Sequence, residues 1–442
     1  MLKRWKVLTA LLAVLALVAA ACGGDDGGSD TTATPTTQAT TTTTVADTTT
    51  TTEAAGDTTT TTAPPVVRAD ADLVIWADDT RTPVITPFAE AFAADNGLTV
   101  AVQELGFGDI RSRLVTADPA GEGPDIIIGA HDWLGELVTS GVVAPIDLAG
   151  ISDQFPDVAV SAFTYEGRTY GVPYAIENIA LIRNTDLVPE APATFEELET
   201  IALGLVEDGT VEVPLALQEN GNGDPFHNYP LFTALGGYVF GSPEFGYDPT
   251  DLGIDSPGGL AAARKFGEWS ENGLVNIDIT YDVMIESFNS GNAPFAITGP
   301  WAVGSFTDVN YVVEPIPPVE GGTPAPFVGV QGFMVAANAQ NPLIAETFLL
   351  DVMSGAEAQT ALFEAGGRPP ANLTAFEAAS ADPDIQGFGA SGANGFPMPA
   401  IPEMGSVWSA WTDAYELIFT GTDPETAFTD AAAQIRNLIA GG

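Results

Sequence analysis

The alternation of short apolar runs with helical patterns after residue 68 most strongly limits what this chain can fold into. Leu73–Trp76 predicts a short buried strand, and Leu98–Val102 predicts the next strand. Between them, side chains that recur every four residues form one apolar helix face, namely Val84, Phe88 and Phe92. Because strand, helix and strand follow one another, we expect a mostly parallel sheet covered by helices.

The ends of the predicted helices carry capping signals. Thr82 is expected to be the N-cap of the first helix, with Pro83 at its first position and Gly97 after its end. Thr194 and Glu197 have the spacing of a capping box. Similar patterns predict further helices over Phe107–Thr116, Leu260–Trp269, Leu343–Val352, Ala356–Phe363 and Pro424–Leu438. The folded part spans about 375 of the 442 residues, which is large for one hydrophobic core, so we expect two lobes in close contact.

The charge and the rarity of histidine and cysteine exclude several classes of function. With 59 acidic and 13 basic residues, the net charge of −46 argues against binding to nucleic acid, which needs clustered Lys and Arg. The chain has two histidines, His131 and His227, which we interpret as structural or rim residues, and one cysteine, Cys22. We therefore expect no zinc site of the Cys/His kind and no internal disulfide.

Residues 1–22 have the pattern of an export signal. Three basic residues precede an apolar run over Leu8–Ala21, which is too short to span a bilayer. The run ends in Ala19-Ala20-Ala21-Cys22, which resembles a bacterial lipobox, with Ala19 where leucine is favoured. We expect lipidation at Cys22; ordinary secretory cleavage beside an incidental cysteine is the alternative. No later stretch of sequence is long and apolar enough to span a bilayer, so the anchor would be lipid alone.

Residues 23–67 are dominated by threonine and have almost no apolar side chains. Such a segment cannot bury enough surface to offset its ordering entropy, so we expect a disordered tether. Its threonine runs are candidates for O-glycosylation.

The body contains a series of segments that resembles the maltose/maltodextrin-binding proteins of ABC sugar importers. The most specific part is Gly123–Asp132 followed by Ser140–Ile146. Further matching segments occur in the same order, at Leu73–Trp76, Val172–Glu177, Leu181–Leu187, Tyr229–Phe232, Gly236–Tyr238, Phe288–Gly291, Thr298–Trp301, Pro326–Val330 and Met398–Met404. Together they cover nearly the whole body.

This resemblance implies an α/β fold with two lobes and a ligand cleft between them. Lobe 1 would comprise 68–176 plus 333–380, and lobe 2 would comprise 180–327 plus 385–442. The protein would be a monomeric, lipid-anchored receptor on the outer face of a bacterial cytoplasmic membrane. It would close around a neutral carbohydrate and deliver it to the permease subunits of an ABC importer, without being an enzyme. Such a receptor would need no metal and no organic cofactor.

A carbohydrate cleft needs carboxylates for sugar hydroxyls and flat aromatic side chains for ring faces. The resemblance assigns hydroxyl binding to Asp132 and Glu177. Asp132 could instead cap the following helix, and Glu177 could be solvated or ion-paired. Near the first strand, Asp78, Asp79 and Arg81 stand where the family has an acid–base pair. The alignment is ambiguous by one residue there, and we take Asp79 and Arg81 as the pair. Another carboxylate is either Glu219 or Asp224, and Asp224 is favoured because Pro225 and Phe226 follow it.

The aromatic candidates are assigned by the same resemblance. They are Trp133, Phe226, Tyr281, Trp301 and Trp408, with Met398 near Trp408. For Tyr281, Trp301, Met398 and Trp408, the alternative is a place in the hydrophobic core. Trp133 replaces a basic residue, Gly129 replaces an aromatic platform, and Thr412 stands where a basic residue is found. These departures leave maltose, trehalose, a longer α-glucan or another neutral oligosaccharide as candidate ligands.

Three other readings fit parts of the sequence. A glycosidase would use two carboxylates, but acidic residues are so abundant here that a chance pair means little. The sequence contains no Walker loop, no G-x-S-x-G elbow and no H-E-x-x-H motif. A surface adhesin could use the same fold, and the same receptor fold could bind a polyol or another small solute.

Overall fold

The computed structural model describes residues 67–241 and 246–441. The predicted leader over 1–22, its Cys22 and the tether before residue 67 therefore lie outside the described residues. None of the helices in the described ranges combines the length and apolarity needed to traverse a bilayer.

Strands and helices alternate along most of the described chain. The strands are β1 Leu73–Ala77, β2 Val100–Glu104, β3 Ile126–Ala130, β4 Val143–Ala144, β5 Thr164–Tyr165, β6 Arg168–Thr169, β7 Gly171–Glu177, β8 Ala180–Asn184, β9 Ala216–Leu217, β10 Phe240–Gly241, β11 Asp248–Leu252, β12 Phe295–Thr298, β13 Tyr311–Glu314, β14 Phe327–Ala336 and β15 Phe396–Pro397. The helices are α1 Thr82–Asn96, α2 Phe107–Ala117, α3 Leu134–Thr139, α4 Asp157–Ala162, α5 Phe195–Glu207, α6 Pro225–Ala234, α7 Pro257–Glu271, α8 Tyr281–Asn289, α9 Pro300–Val303, α10 Pro342–Phe348, α11 Ala356–Gly366, α12 Leu373–Ala379, α13 Pro383–Gly392, α14 Trp408–Phe419 and α15 Pro424–Gly441.

The larger sheet is mixed rather than mostly parallel. Strand β1 pairs in parallel with β2 and with β3, as the alternation of strands and helices predicts. Strand β14 then pairs antiparallel with both β3 and β7. The prediction of a mostly parallel sheet is wrong for this region, because β14 comes from a distant part of the chain and enters the sheet in the opposite direction.

A second sheet has the strand order β13, β8, β12 and β9. Strand β8 is antiparallel to both of its neighbours, while β12 and β9 are parallel. Helices α7, α14 and α15 pack together on this half of the molecule and bury Trp269, Trp411 and Phe428 completely.

Two sets of buried side chains define the two lobes. The first core draws its residues from 73–175 and 330–371. The second lobe contains two adjoining clusters, drawn from 179–327 and 388–435. Within the described residues, the chain therefore passes between the lobes three times, after Ala175, after Phe327 and after Ala371. The predicted two-lobed α/β fold is confirmed.

The helix ends test the capping predictions. Gly97 follows α1 in the left-handed conformation, as predicted. Thr194 caps α5 by accepting the N–H of Glu197, also as predicted. The prediction that Thr82 caps α1 is wrong, because Thr82 is already inside the helix and its hydroxyl makes no capping bond. Instead Asp78 accepts the N–H groups of Thr80 and Arg81 and closes the preceding turn.

Candidate functional site

A cavity of about 560 Å³ lies between the lobes and is lined by side chains from both of them. Its size falls in the range of sites for small molecules, roughly 300–1,000 Å³. Ten of the eleven side chains predicted from the sequence line this cavity, namely Asp79, Arg81, Asp132, Trp133, Glu177, Phe226, Tyr281, Trp301, Met398 and Trp408. Their roles in binding stay predictions.

Strand ends position the lining residues of lobe 1. The segment Asp78–Arg81 follows β1, and Asp132 and Trp133 belong to the single helical turn that follows β3. These two parallel strands end at the same edge of the sheet, which is where α/β sheets usually bind ligands. Glu177 is the last residue of β7, which joins that sheet through β14.

Asp132 is the carboxylate that is best placed to receive a ligand. Its side chain is buried, and its Oδ1 atom has no hydrogen-bond partner among the described residues. Burial raises the pKa of this carboxyl to about 7, although the charge of Arg111 acts in the opposite direction. The alternative role as a helix cap is not observed, since no side chain caps α3.

Two glycines make room for aromatic rings of the cavity wall. A Cβ on Gly299 would lie 2.1 Å from the ring of Trp301, and a Cβ on Gly129 would lie 2.6 Å from the ring of Trp133. The departure at Gly129 therefore has a local reason, because the Trp133 ring folds back over this position. Trp133 also packs against Phe107 with 4.8 Å between ring centroids.

Arg81 pairs with Asp78 rather than with Asp79. The guanidinium bonds the Asp78 carboxylate, and both side chains are almost completely buried. Arg81 Nε also donates to the Tyr174 hydroxyl, and the guanidinium lies over the ring of Phe107. Asp79 is exposed at the cavity. The sequence leaves Asp78 and Asp79 open as the acid of this pair, and Asp78 is the one that bonds Arg81.

Arg368 lines the cavity and was not predicted from the sequence. Its Nε donates to Glu177 Oε2 at 2.7 Å, and Gln331 Nε2 donates to Glu177 Oε1 at 2.7 Å. Both oxygens of Glu177 are therefore occupied, as in the ion-paired alternative. The guanidinium of Arg368 also lies 5.4 Å from the centroid of the Trp301 ring. The scarcity of basic residues was the only signal in the sequence, because no recognisable motif surrounds Arg368.

Asp224 is the predicted residue that does not line the cavity. Its Oδ1 accepts the N–H groups of Phe226 and His227 at 3.1 Å each, so it caps α6. Its Oδ2 lies 2.9 Å from His227 Nδ1. Glu219 is not in the lining either; it is completely buried and accepts the N–H of Asp224.

His227 connects this capping carboxylate to the cavity wall. Its ring lies edge-on to Trp301, with 5.9 Å between centroids and an interplanar angle of 89°. Asp224 therefore acts on the site indirectly, by holding the imidazole against the ring of Trp301.

His131 lies behind the cavity and joins the lobes. The Val330 N–H donates to His131 Nδ1 at 3.0 Å, so the ring carries its proton on Nε2 and donates it to the Met398 carbonyl. Burial lowers the pKa of His131 to about 4, so the ring is neutral at ordinary pH. These bonds give His131 a structural position.

The chemistry of the cavity suits a neutral compound with many hydroxyl groups. Apart from Asp132 and the exposed Asp79, its charged side chains are ion-paired. The pairs are Asp78 with Arg81, Glu177 with Arg368, and Arg111 with Glu136 outside the lining. Aromatic rings offer flat apolar surface, and the free Asp132 oxygen offers a strong acceptor. Within residues 67–241 and 246–441, no three His, Cys, Asp or Glu side chains are grouped so as to hold a metal ion.

The sequence of this chain is similar to those of known proteins. A family model described as bacterial extracellular solute-binding protein matches residues 88–387. The maltodextrin-binding protein MdxE of Bacillus subtilis is 29% identical over 388 residues, which cover 83% of this chain and 89% of that protein. The galactooligosaccharide-binding protein of Bacillus subtilis is 27% identical over 84% of this chain and 90% of its own length. A maltooligosaccharide ABC transporter solute-binding lipoprotein of Streptococcus pneumoniae is 27% identical over 83% of this chain and 89% of its own length.

Proposed function

Because the chain belongs to the family of bacterial extracellular solute-binding proteins, we propose that it is the sugar receptor of an ABC importer. In this proposal it binds a neutral oligosaccharide between its lobes and presents the loaded form to the permease. The protein supplies binding and closure, and no bond of the sugar is broken.

The observation that carries this proposal is the free carboxylate oxygen of Asp132 among aromatic side chains. A buried acceptor without a partner is costly, so a ligand that donates a hydrogen bond there is favoured. Trp301 and Trp408 lie on the lobe that faces Asp132 and line the same cavity. A sugar ring could therefore donate a hydroxyl to lobe 1 while it stacks on lobe 2.

Closure of the lobes around the sugar follows from how they are connected. The crossing segments are short at Asn178 and within β14, and such connections act as hinges in periplasmic binding proteins. A ligand that contacts both lobes stabilises the closed arrangement by its extra contacts there. The permease could then distinguish loaded from empty receptor.

Maltooligosaccharides are the ligand class that we propose. Two of the relatives above carry maltodextrin or maltooligosaccharide in their names, which supports this class. A third relative of comparable identity is named for galactooligosaccharides, so identity at this level does not by itself specify the sugar. We expect the contacts of Asp132, Trp301 and Trp408 with the ligand to decide which sugar is bound.

We further propose that Cys22 carries the lipid that anchors the receptor outside the cell, with residues 23–67 as the tether. The lobe boundaries of this proposal are 68–176 plus 333–380 and 180–327 plus 385–442. Lipidation is supported by the lipobox-like sequence and by a relative that is named a lipoprotein. Mass spectrometry of the membrane fraction would detect the acyl groups on Cys22, and a soluble, unmodified protein would argue against the anchor.

Thermal unfolding with a panel of ligands tests the function. The panel contains maltose, maltotriose, maltohexaose, trehalose, galactooligosaccharides, polyols and amino acids. A ligand that binds only the folded state at about 100 times its Kd adds about 2.7 kcal/mol of stability. A shift with maltooligosaccharides supports the proposal. A shift only with another class of compound would make that class the proposed ligand in place of maltooligosaccharides. Cleavage of the sugar to shorter products would point to a glycosidase. No shift with any compound would favour the adhesin.

A further inference from the structure

The three stretches of chain that cross between the lobes lie side by side. Glu177, at the end of β7 and at the first crossing, pairs with Gly329 of β14 at the second crossing. In the same strand, Ala175 bridges to Pro370, which lies directly before the third crossing. The crossings therefore form one ribbon with β7 in its middle.

The side chain of Glu177 bonds to residues at both of the other crossings. Its Oε1 atom accepts a hydrogen bond from Gln331 on β14, and its Oε2 atom accepts one from Arg368, at 2.7 Å each. Only 5% of the surface of this side chain remains exposed. Because both oxygens are used inside the protein and so little surface is left, Glu177 offers a ligand little to bind.

Arg368 has hydrogen-bond donors that the described part of the chain leaves unused. Its Nε atom bonds Glu177, whereas Nη1 and Nη2 take part in no hydrogen bond among residues 67–241 and 246–441. Arg368 lines the cavity, and its guanidinium lies 5.4 Å from the ring centroid of Trp301 in the other lobe. A guanidinium only donates, so a ligand that binds these nitrogens must offer acceptors.

The free groups of Arg368 and Asp132 complement each other within lobe 1. Asp132 Oδ1 accepts a hydrogen bond, and the Nη nitrogens of Arg368 donate them. The planar guanidinium presents its two nitrogens side by side, which suits two adjacent oxygen atoms of a ligand. A sugar meets both requirements, because each hydroxyl group can donate one hydrogen bond and accept another.

We propose that Arg368 is a specificity-determining residue that contacts the sugar directly, and that Glu177 is a positioning residue that acts through it. Gln331 holds one oxygen of Glu177, the other oxygen holds the guanidinium, and the Nη nitrogens donate to neighbouring oxygens of the sugar. This inference rests on the proposed function and assigns to Arg368 the hydroxyl-binding role expected for Glu177. Residues at a hinge move least when lobes close, so the contact is available in the open form as well.

The test is a double-mutant cycle in isothermal titration calorimetry with maltotriose, or with the sugar of the ligand panel that gives the largest thermal shift. Arg368→Gln should weaken binding by roughly fivefold to thirtyfold, and Glu177→Gln by a similar or smaller factor. In the Arg368→Gln background, Glu177→Gln should change the affinity by less than about twofold, because the residue that it positions is already gone. If Glu177 bound the sugar itself, its loss would appear in full in both backgrounds.

Arg368→Lys separates the charge of this residue from its paired nitrogens. Lysine keeps a positive charge beside Glu177 but has a single nitrogen in place of the planar fork. We expect this variant to keep the thermal midpoint of the unliganded wild type and to bind the sugar nearly as weakly as Arg368→Gln does.

Glu314→Gln is the matched control for Glu177→Gln. Glu314 accepts a hydrogen bond from Arg183 Nε at 2.7 Å, in a largely buried ion pair of lobe 2 that does not line the cleft. The control should lower the thermal midpoint of the unliganded protein and leave the Kd for the sugar unchanged. An equal loss of affinity in the control would mean that Glu177→Gln reports a general effect on folding, which would overturn the positioning role.

Three other results would overturn the inference while the proposed function stands. These are a full additional loss of affinity in the double variant, an unchanged affinity in Arg368→Gln or in Glu177→Gln, and wild-type binding by Arg368→Lys. Failure of every sugar in the panel to bind the wild type would instead remove the proposed function, and the inference with it.

Discussion

Arg368 and Trp301 face each other across the cleft, with the guanidinium 5.4 Å from the ring centroid, and so join the two lobes. Arg368 belongs to lobe 1, because the chain directly after it is bonded to β7 through Ile176 N–H and the Pro369 carbonyl. Trp301 lies in the first turn of α9 in lobe 2. This cation–π contact therefore links residues of the two lobes.

Arg368→Gln is expected to shift the unliganded protein toward the open form and to weaken sugar binding by about 1–2 kcal/mol. It removes a cation–π contact and the charge partner of buried Glu177. Small-angle scattering should show a larger radius of gyration without sugar, and calorimetry should show the loss of affinity. Arg264→Gln is the control, since its pair with Glu425 is about half exposed. An unchanged radius and affinity would show that Arg368 does not hold the lobes.

Trp301→Ala should weaken binding of the sugar by about 1–3 kcal/mol, because the flat face for a sugar ring is lost. Trp301→Phe should keep part of the affinity. Calorimetry measures both variants, and their unliganded thermal midpoints serve as the check on folding. An unchanged affinity in Trp301→Ala would remove this residue from the binding site.

Asp132→Asn should weaken binding while the thermal midpoint of the unliganded protein stays the same or rises. The ligand loses a charged acceptor, whereas the folded protein loses a buried carboxylate with a free oxygen. Asp109→Asn, an exposed change on α2, should alter neither quantity. A large loss of unliganded stability in Asp132→Asn would assign this residue to the fold instead.

The affinity for sugar should increase as the pH rises from 5 to about 8 and then level off. Burial raises the pKa of Asp132 to about 7, and hydroxyl donors favour its ionised form, so binding releases a proton. Below pH 7 the affinity should change by nearly tenfold per pH unit. Titrations in two buffers of different ionisation enthalpy measure the proton released. A pH-independent affinity, or one that Asp132→Asn leaves equally steep, would contradict this assignment.

The same raised pKa of Asp132 makes the folding stability of the unliganded protein decrease with rising pH, whereas the affinity for sugar increases. Because the folded state binds this proton up to a higher pH than the unfolded chain does, Asp132 lowers the stability as the pH rises from about 4 to about 7. The wild type should therefore lose stability relative to Asp132→Asn over this interval.

Asp224→Ala should cost about 1–2 kcal/mol of folding stability, because Asp224 caps α6 with two hydrogen bonds. Its effect on affinity should be smaller than that of Asp132→Asn, since it reaches the cavity only through His227 and Trp301. Urea denaturation measures the first quantity and calorimetry the second. If Asp224→Ala kept its folding stability but lost much of its affinity for sugar, Asp224 would be assigned a direct role in ligand binding.

Local features of the fold could be predicted from the sequence, and long-range pairing could not. The strand near Leu73 and the left-handed Gly97 follow from side chains and neighbours within a few residues. The antiparallel entry of β14 joins β3 to residues about 200 positions later in the chain, and periodicity contains no information on such a pairing. Thr82 failed as a cap because the Asp78 carboxylate satisfies the preceding turn.

In the candidate site, too, local sequence patterns could be predicted and contacts between distant residues could not. Residues embedded in recognisable segments, such as Asp132 and Trp301, are predicted from the sequence and line the cavity, while their role in binding stays a prediction. Arg368 was missed because its importance comes from Glu177 and Trp301, which are distant in sequence. Asp224 was placed in the cleft by its neighbours Pro225 and Phe226, but its carboxylate points back to the start of its own helix.

Each lobe is assembled from two separate stretches of chain, and β14 contributes Phe327 to one core and Val330 to the other. Neither lobe can therefore lose its fold without releasing a strand that the other one needs. Heating should reveal this as a single calorimetric transition in which both halves melt together. A cut at any one crossing would leave both halves incomplete, so neither is expected to be obtainable as a stable isolated fragment.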